Sequence, residues 1–276
     1  MAEARKTRQA ILTVLRTERL SPHMVRVVFG GPGFGEFEPN GFTDAYVKLV
    51  FPCAGVRYPE PFDISVVRAE YPREQWPTTR TYTVRYHDAV NQELAIDFVW
   101  HGDSGLAGPW AAAAQPGDQL VVLGPGGAYA PDPTADWHLF VGDESALPAI
   151  GAALERLATE APSARGQVVL EVADAAEEQK LVAPPGCSVT WLHRGADPDA
   201  LPAAVRALEF PAGQQPQAFV HGEAGFVRAL RRHLLNERGM SKEALSLSGY
   251  WRKGKNEDGW QAEKAAERAA EQAARG

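Results

Sequence analysis

The segment AYAPDPTADW at residues 128–137 separates two different textures of sequence. Before it, QAILTVLRTERL, HMVRVVFG, AYVKLVFP, TRTYTVRYHD, ELAIDFVW and DQLVVLG are short apolar or alternating runs punctuated by Gly, Pro and acidic turns. That pattern belongs to a barrel or sandwich of short strands. After it, the strand-like WHLFVGDE leads into the helix-like SALPAIGAALERLATE. The order repeats with QVVLEVAD and EEQKLV, with CSVTWLHR and LPAAVRALEF, and within QAFVHGEAGFVRALRRHLLNERG. Apolar strands alternating with helices predict an α/β domain with a parallel sheet. The expected division is therefore a β-domain at 1–132, an α/β domain at 133–250 and a tail at 251–276. The Pro- and charge-rich stretch from Phe51 to Thr79 reads as a loop or insertion. In the tail, Ala262, Ala266, Ala269 and Ala273 form a narrow helical stripe that would bury little area, with Trp260 as the anchor at its entrance.

Composition narrows the function classes. The chain has 276 residues, is 45% hydrophobic and 23% charged, and carries a formal net charge of -7 with no long basic run. Nonspecific nucleic-acid binding is a poor fit to that balance. Cys53 and Cys187 are far apart, and the seven histidines form no HExxH or other compact set, so neither a disulfide framework nor a protein-held metal is expected. No stretch of about 18 uncharged apolar residues is present, which predicts no membrane insertion, and a cytoplasmic monomer is the expected state.

Four stretches carry chemistry. In RTYTVRYHD, Arg80 suits a phosphate, Tyr82 the face of a planar ring, and Thr83 the heteroatoms of such a ring if the strand bends locally. Simple alternation puts Arg80, Tyr82, Val84 and Tyr86 on one face and Thr81, Thr83 and Arg85 on the other. In DFVWHGDSGLAGPWAAAA a glycine-broken loop runs into WAAAA, whose first amides suit a phosphate at a helix start. VGDESALPAI ends a strand and opens a helix, so Gly142 allows close backbone approach to a dinucleotide while Asp143 and Glu144 suit helix capping or a ribose. It is not GxGxxG, so the ordinary dinucleotide fingerprint is absent. FVHGEAGFVRALRRHL repeats strand, glycine turn and helix, giving two strand ends suited to one crevice; Arg231 and Arg232 read as the wet face of that helix. Ser145 lies in GDESA and not in GxSxG, so no hydrolase constellation competes with redox chemistry.

Taken in order, RTYTVRYHD, DFVWHGDSG, WAAAAQPGD, VGDESALPAI, HGEAGFVRALRRHLL and GYWRKG resemble the siderophore-interacting family of FAD-dependent ferric-siderophore reductases, within the ferredoxin-reductase-like superfamily. The resemblance implies a two-domain fold: an N-terminal antiparallel β-barrel with the FAD site and a C-terminal α/β NAD(P)H-binding-like domain. It places Arg80, Tyr82 and Thr83 at the flavin phosphate side, ring face and ring edge, Val99 and His101 on the next strand along the flavin, and Ala107, Gly108, Trp110 and Ala111 at the phosphate turn. Gly142, Asp143 and Glu144 fall at the dinucleotide end of the second domain, and Lys48 and Arg252 match two basic positions facing an anionic iron(III)-siderophore. Two departures stand out: relatives begin the phosphate turn with Gly-Pro-Ala where this chain has Gly105-Leu106-Ala107, and carry GPRG where it has Gly124-Pro125-Gly126-Gly127. The electron donor implied is NADH, NADPH or a reduced ferredoxin, with the tail gating donor access. A general flavin reductase and a flavin-free siderophore-binding protein are the alternatives.

Overall fold

Alternation builds the first sheet: along β1 (Gln9–Ser21) the side chains of Ala10, Leu12 and Val14 are buried at every second position. The computed structural model describes residues 8–211, 216–255 and 259–260. After β1 come β2 (Met24–Gly30), β3 (Tyr46–Phe51), α1 (Ile64–Glu70), β4 (Thr78–Asp88), β5 (Glu93–Val99), α2 (Ala107–Ala113) and β6 (Gln119–Gly126). The six strands close an antiparallel barrel in the order β1-β2-β5-β4-β3-β6, with β6 pairing back onto β1. Closure removes the unpaired edges that an open sheet of this size would expose. Leu12, Val27, Phe29, Leu49, Leu94, Ile96 and Phe98 fill its interior, each fully buried. Burial of one such Leu, Ile or Phe side chain contributes about 1.5–3 kcal/mol. The stretch from Phe51 to Thr79 is an insertion carrying α1, whose start is capped by Asp63 accepting from the Ser65 amide at 2.7 Å.

β4 departs from simple alternation. Val47 faces Tyr82 and Leu49 faces Arg80 across the β3–β4 ladder, so these positions share one sheet face, as alternation predicts. A bulge at Arg85 then shifts the register, pairing Val84 with Ile96 but Tyr86 with Ala95 and His87 with Leu94. One inserted residue exchanges the two faces. His87 therefore takes the Leu94 side and stacks on Phe34 at 4.8 Å, while Tyr86 moves to the face opposite Tyr82, correcting the simple alternation.

The second unit begins at Pro131. It contains β7 (Trp137–Asp143), most of α3 (Leu147–Glu160), β8 (Arg165–Val172), β9 (Gly186–His193), α4 (Ala200–Arg206), β10 (Pro216–Glu223), α5 (Ala224–Arg232) and β11 (Leu245–Trp251). All five strands are parallel, in the order β11-β10-β7-β8-β9. Trp137, Leu139 and Val141 face α4 and α5, meeting Leu201, Val205, Phe226 and Leu230. The helix expected at EEQKLV is absent: Ala175–Glu177 form one short 3-10 turn, and Val182 is 54% exposed. Pro184 and Pro185 lie immediately ahead of β9 and cannot donate helix hydrogen bonds, so the crossover from β8 to β9 is irregular. β11 extends the sheet beyond β10, where LSLSGYW carries no strong apolar signal. On α5, Arg228, Arg231 and Arg232 are exposed, in line with the wet face read for the latter two. Trp260 is buried, and a Cβ added at Gly249 would meet its ring at 3.1 Å. The expected alanine stripe from Ala262 onward lies outside the described residues.

His138, on β7, is fully buried, and among the described residues neither ring nitrogen has a hydrogen-bond partner. Burial depresses its pKa below the ordinary value of about 6.5, outweighing attraction from Asp132. As pH falls through 6.5 the unfolded state takes up the proton first, so stability present above that value is lost below it. Replacing His138 by Leu is expected to stabilise the protein, by about 1 kcal/mol at pH 7.5 and by more at pH 5, because two unpaired buried polar atoms disappear. Denaturant melts of the two proteins at both pH values check this, the prediction failing if their difference does not widen on acidification.

Candidate functional site

The barrel unit presents one candidate surface around β4, the end of β5 and α2. Arg80 and Tyr82 are half-buried on the same face of β4, and the Tyr82 ring packs against Phe98 at 4.5 Å. Phe98 in turn lies 5.9 Å from Trp110, which stacks parallel to Phe29 at 6.2 Å and meets Phe51 edge-on at 6.0 Å. Trp110 thus anchors α2 to the barrel core. The helix begins at Ala107, three residues before the WAAAA run that suggested its start, and no side chain caps it. Among the described residues no side chain accepts from its first amides, which suits an anion.

Glycine is required at two places here. A Cβ at Gly108 would stand 2.8 Å from the Val99 carbonyl, so only glycine lets α2 approach the end of β5 this closely. Gly105 holds φ at +86° with open space around it, a conformation that turns Gly105-Leu106-Ala107 into α2. Ala107 and Ala111 are buried beneath the helix. β5 ends at Val99, so His101 sits exposed on the following loop and not on the strand. Its ring lies 6.3 Å from His23.

Thr83 is buried on the opposite face from Tyr82, paired with Tyr46. Lys48 shares that face, is exposed, and stands across the ladder from Thr81. The Tyr46 ring covers Gly126: a Cβ there would meet it within 2.4–2.9 Å. In the Gly124–Gly127 turn this chain therefore has an exposed aromatic ring laid on bare backbone. Sequence reasoning passed over a further charge cluster in the same unit. Arg26 grips Asp97 through two hydrogen bonds of 2.6 and 2.8 Å, and Arg85 at the bulge lies 4.0 Å from the same carboxylate. Asp97 thus receives charge from both arginines. The signal available in the sequence was the second arginine of RTYTVR.

An aromatic flank at Tyr82, the cation at Arg80, the uncapped start of α2 and the glycine-permitted approach at Gly108 together fit a flat ligand with a phosphate tail, which is the shape of FAD.

The α/β unit has its own focus where the strand order reverses, between β7 and β10, the place at which open parallel sheets bind ligands. Both strand ends anticipated from VGDES and FVHGEAG are neighbours there. Gly142 is needed for packing: a Cβ would meet Ala146 at 2.7 Å and Ile150 at 2.9 Å. Asp143 is buried and accepts four hydrogen bonds, from the Ser145 amide at 2.9 Å, the Ser145 hydroxyl at 2.5 Å, the Glu223 amide at 2.8 Å and the Trp251 indole at 2.8 Å. One carboxylate thereby ties together the ends of β7, β10 and β11. Burial pushes its pKa up to about 6, the Glu144 charge adding to the rise while the hydrogen bonds oppose it. Glu223 caps α5, accepting from the Gly225 and Phe226 amides, so its own carboxylate occupies the start of that helix.

Glu144 does not face open solvent either. Arg194, just past β9, reaches Glu144 at 2.6 Å and Glu171, near the end of β8, at 2.9 Å. Burial disfavours the Arg194 charge, but its bonds to Glu144 and Glu171 outweigh that and raise its pKa. Arg252 is half-buried, its guanidinium 5.9 Å from the centre of the Trp260 ring. Among the described residues no cluster of His, Cys, Asp and Glu could hold a metal ion, and no helix is long and apolar enough to cross a membrane.

Family models match both halves: a siderophore-interacting FAD-binding domain over residues 13–129 and a siderophore-interacting protein domain over residues 135–254. The chain belongs to the siderophore-interacting protein family. It is 35% identical over 273 residues to the ferric vibriobactin reductase of Vibrio cholerae, covering 95% of this chain and 96% of that one. It is likewise 35% identical over 242 residues to the NADPH-dependent ferric-chelate reductase of Escherichia coli, covering 87% and 91%. The crystal structure of a siderophore utilization protein from T. fusca superposes with a TM-score of 0.77 at 38% identity, covering 91% of this chain and 95% of that one. FAD is the cofactor of this family's barrel, and the ferredoxin-reductase-like architecture anticipated from the sequence is the one observed.

Proposed function

We propose that this protein is an FAD-dependent reductase of iron(III) held in siderophores, drawing its electrons from NADH or NADPH. The observation that carries the reading is the pairing, in one family chain, of a barrel that has Arg80 and Tyr82 on one face of β4 and an uncapped α2 with a parallel sheet that reverses order between β7 and β10. When bound, FAD supplies the conversion between two-electron hydride chemistry and one-electron reduction of iron. Arg80 and the first amides of α2 would hold its phosphates, and Tyr82 would flank its ring. Thr83, on the other face of β4, would contact the ring only at its edge. None of these side chains need act as acid or nucleophile. Lys48, exposed on β3, would supply positive charge for an anionic ferric complex.

Electron balance sets the test. One hydride carries electrons for two iron(III) centres, so anaerobic protein reduced with NADH or NADPH should reduce two ferric-siderophore complexes per flavin, read as flavin reoxidation and as iron(II) captured by a colorimetric chelator. A parallel arm with reduced ferredoxin tests the remaining donor. Protein without affinity for FAD, or reduced flavin that oxidises no faster with ferric siderophores than without them, would overturn the reading.

A further inference from the structure

The charge cluster at the carboxyl ends of β7, β8 and β9 points to a choice between the two nicotinamide donors. Glu171 aligns with Asp143 across the β7–β8 ladder and with Leu192 across the β8–β9 ladder, placing it one strand away from the reversal point. A dinucleotide laid across the carboxyl edge of such a sheet brings its adenosine ribose to the end of the strand next to the first, where an acidic side chain accepts from the 2′-hydroxyl and an arginine receives a 2′-phosphate. Both residue types are present at that place, but they are already joined. Arg194 gives its Nε to Glu171 and its Nη2 to Glu144, and its backbone amide is fixed by the Val172 carbonyl at 2.8 Å.

The balance of charge decides the outcome. Two carboxylates against one guanidinium leave the cluster at -1, and the neighbouring Glu178 is engaged with His193 at 2.7 Å. The Glu144 and Glu171 side chains are only 12% and 18% exposed, so neither is well solvated if its cation leaves. A 2′-phosphate brings close to two negative charges and would have to draw Arg194 away, leaving both shielded carboxylates unpaired beside it. A 2′-hydroxyl asks for nothing but an acceptor lone pair, which a carboxylate held by one hydrogen bond from arginine still has.

We propose that the Glu144–Arg194–Glu171 cluster makes this protein select NADH over NADPH, with Glu171 as the specificity-determining residue. The inference rests on the reading of the α/β unit as the nicotinamide-donor domain.

Fragment binding tests it apart from turnover. ADP-ribose and its 2′-phosphorylated form are titrated calorimetrically into FAD-loaded protein, and flavin bleaching by NADH and NADPH is followed by stopped flow. The wild type is expected to bind ADP-ribose at least about tenfold more tightly, the equivalent of 1.4 kcal/mol. E171Q, which removes one negative charge and loosens Arg194, is expected to shrink that preference at least several-fold, chiefly by tightening the phosphorylated fragment. E144Q should act in the same direction, and serves if E171Q does not fold. Equal or reversed preference in the wild type, or an unchanged ratio in a folded E171Q, overturns the inference. If both donors bleach the flavin equally, the donor reading stands and the selection alone falls; if neither fragment binds and neither donor bleaches it, both fall.

Discussion

FAD is expected to bind the Arg80→Ala variant about 10- to 100-fold more weakly than the wild type, because a charge-assisted hydrogen bond contributes about 1.5–3 kcal/mol. Arg80 is half-buried on the Tyr82 face of β4, where water screens its charge less than on an open surface. Arg80→Lys should fall between the two: it keeps the charge but loses the planar fork that grips a phosphate at two points. Quenching of flavin fluorescence on titration into apoprotein reads all three affinities. If Arg80→Ala binds FAD as tightly as the wild type, Arg80 is not a phosphate ligand.

The Asp143→Ala variant is expected to lose roughly 2–4 kcal/mol of stability, about 5–15 °C in the melting temperature of the α/β unit. Removing the carboxylate strands the Glu223 amide and the Trp251 indole without their acceptor at the meeting point of three strand ends. Circular dichroism of the melt checks the size of the effect, and tryptophan fluorescence checks the release of Trp251. The pH dependence has a definite sign. The folded pKa of Asp143, about 6, lies above its ordinary value of 3.8. The stability this lends is fully present below the ordinary value and is lost as pH rises through 6, a span worth on the order of 3 kcal/mol. The gap between wild type and Asp143→Ala should therefore be wider at pH 4.5 than at pH 8. A gap that is constant with pH would mean that the Asp143 carboxyl is not strained by burial.

Much of this was legible in the chain itself. Period-two apolar runs before residue 130 and strand–helix alternation after it mark a barrel followed by a parallel α/β sheet, because each periodicity buries one face only in its own kind of structure. The residue types of RTYTVR and the ordered motifs behind it pointed to a flavin and to a siderophore-interacting chain. EEQKLV was misread as a helix because helix formers are common there, whereas the two following prolines and an unburied Val182 carry more weight.

What one dimension could not decide was which charges meet. The Arg85 bulge, which turns Tyr86 to the other face of β4, depends on register against β5. Asp143 read as a helix cap or a ribose-facing acid, yet it closes a four-donor junction with Glu223 and Trp251, 80 and 108 residues away. Arg194, unremarked in WLHR, takes its meaning from Glu144, 50 residues earlier, and Glu171, 23 residues earlier. Sequence determines local periodicity and the chemical types at strand ends, since these follow from neighbouring residues. Only the folded sheet decides which of those ends converge, because pairing of buried charge is set by distance in space and by exclusion of water.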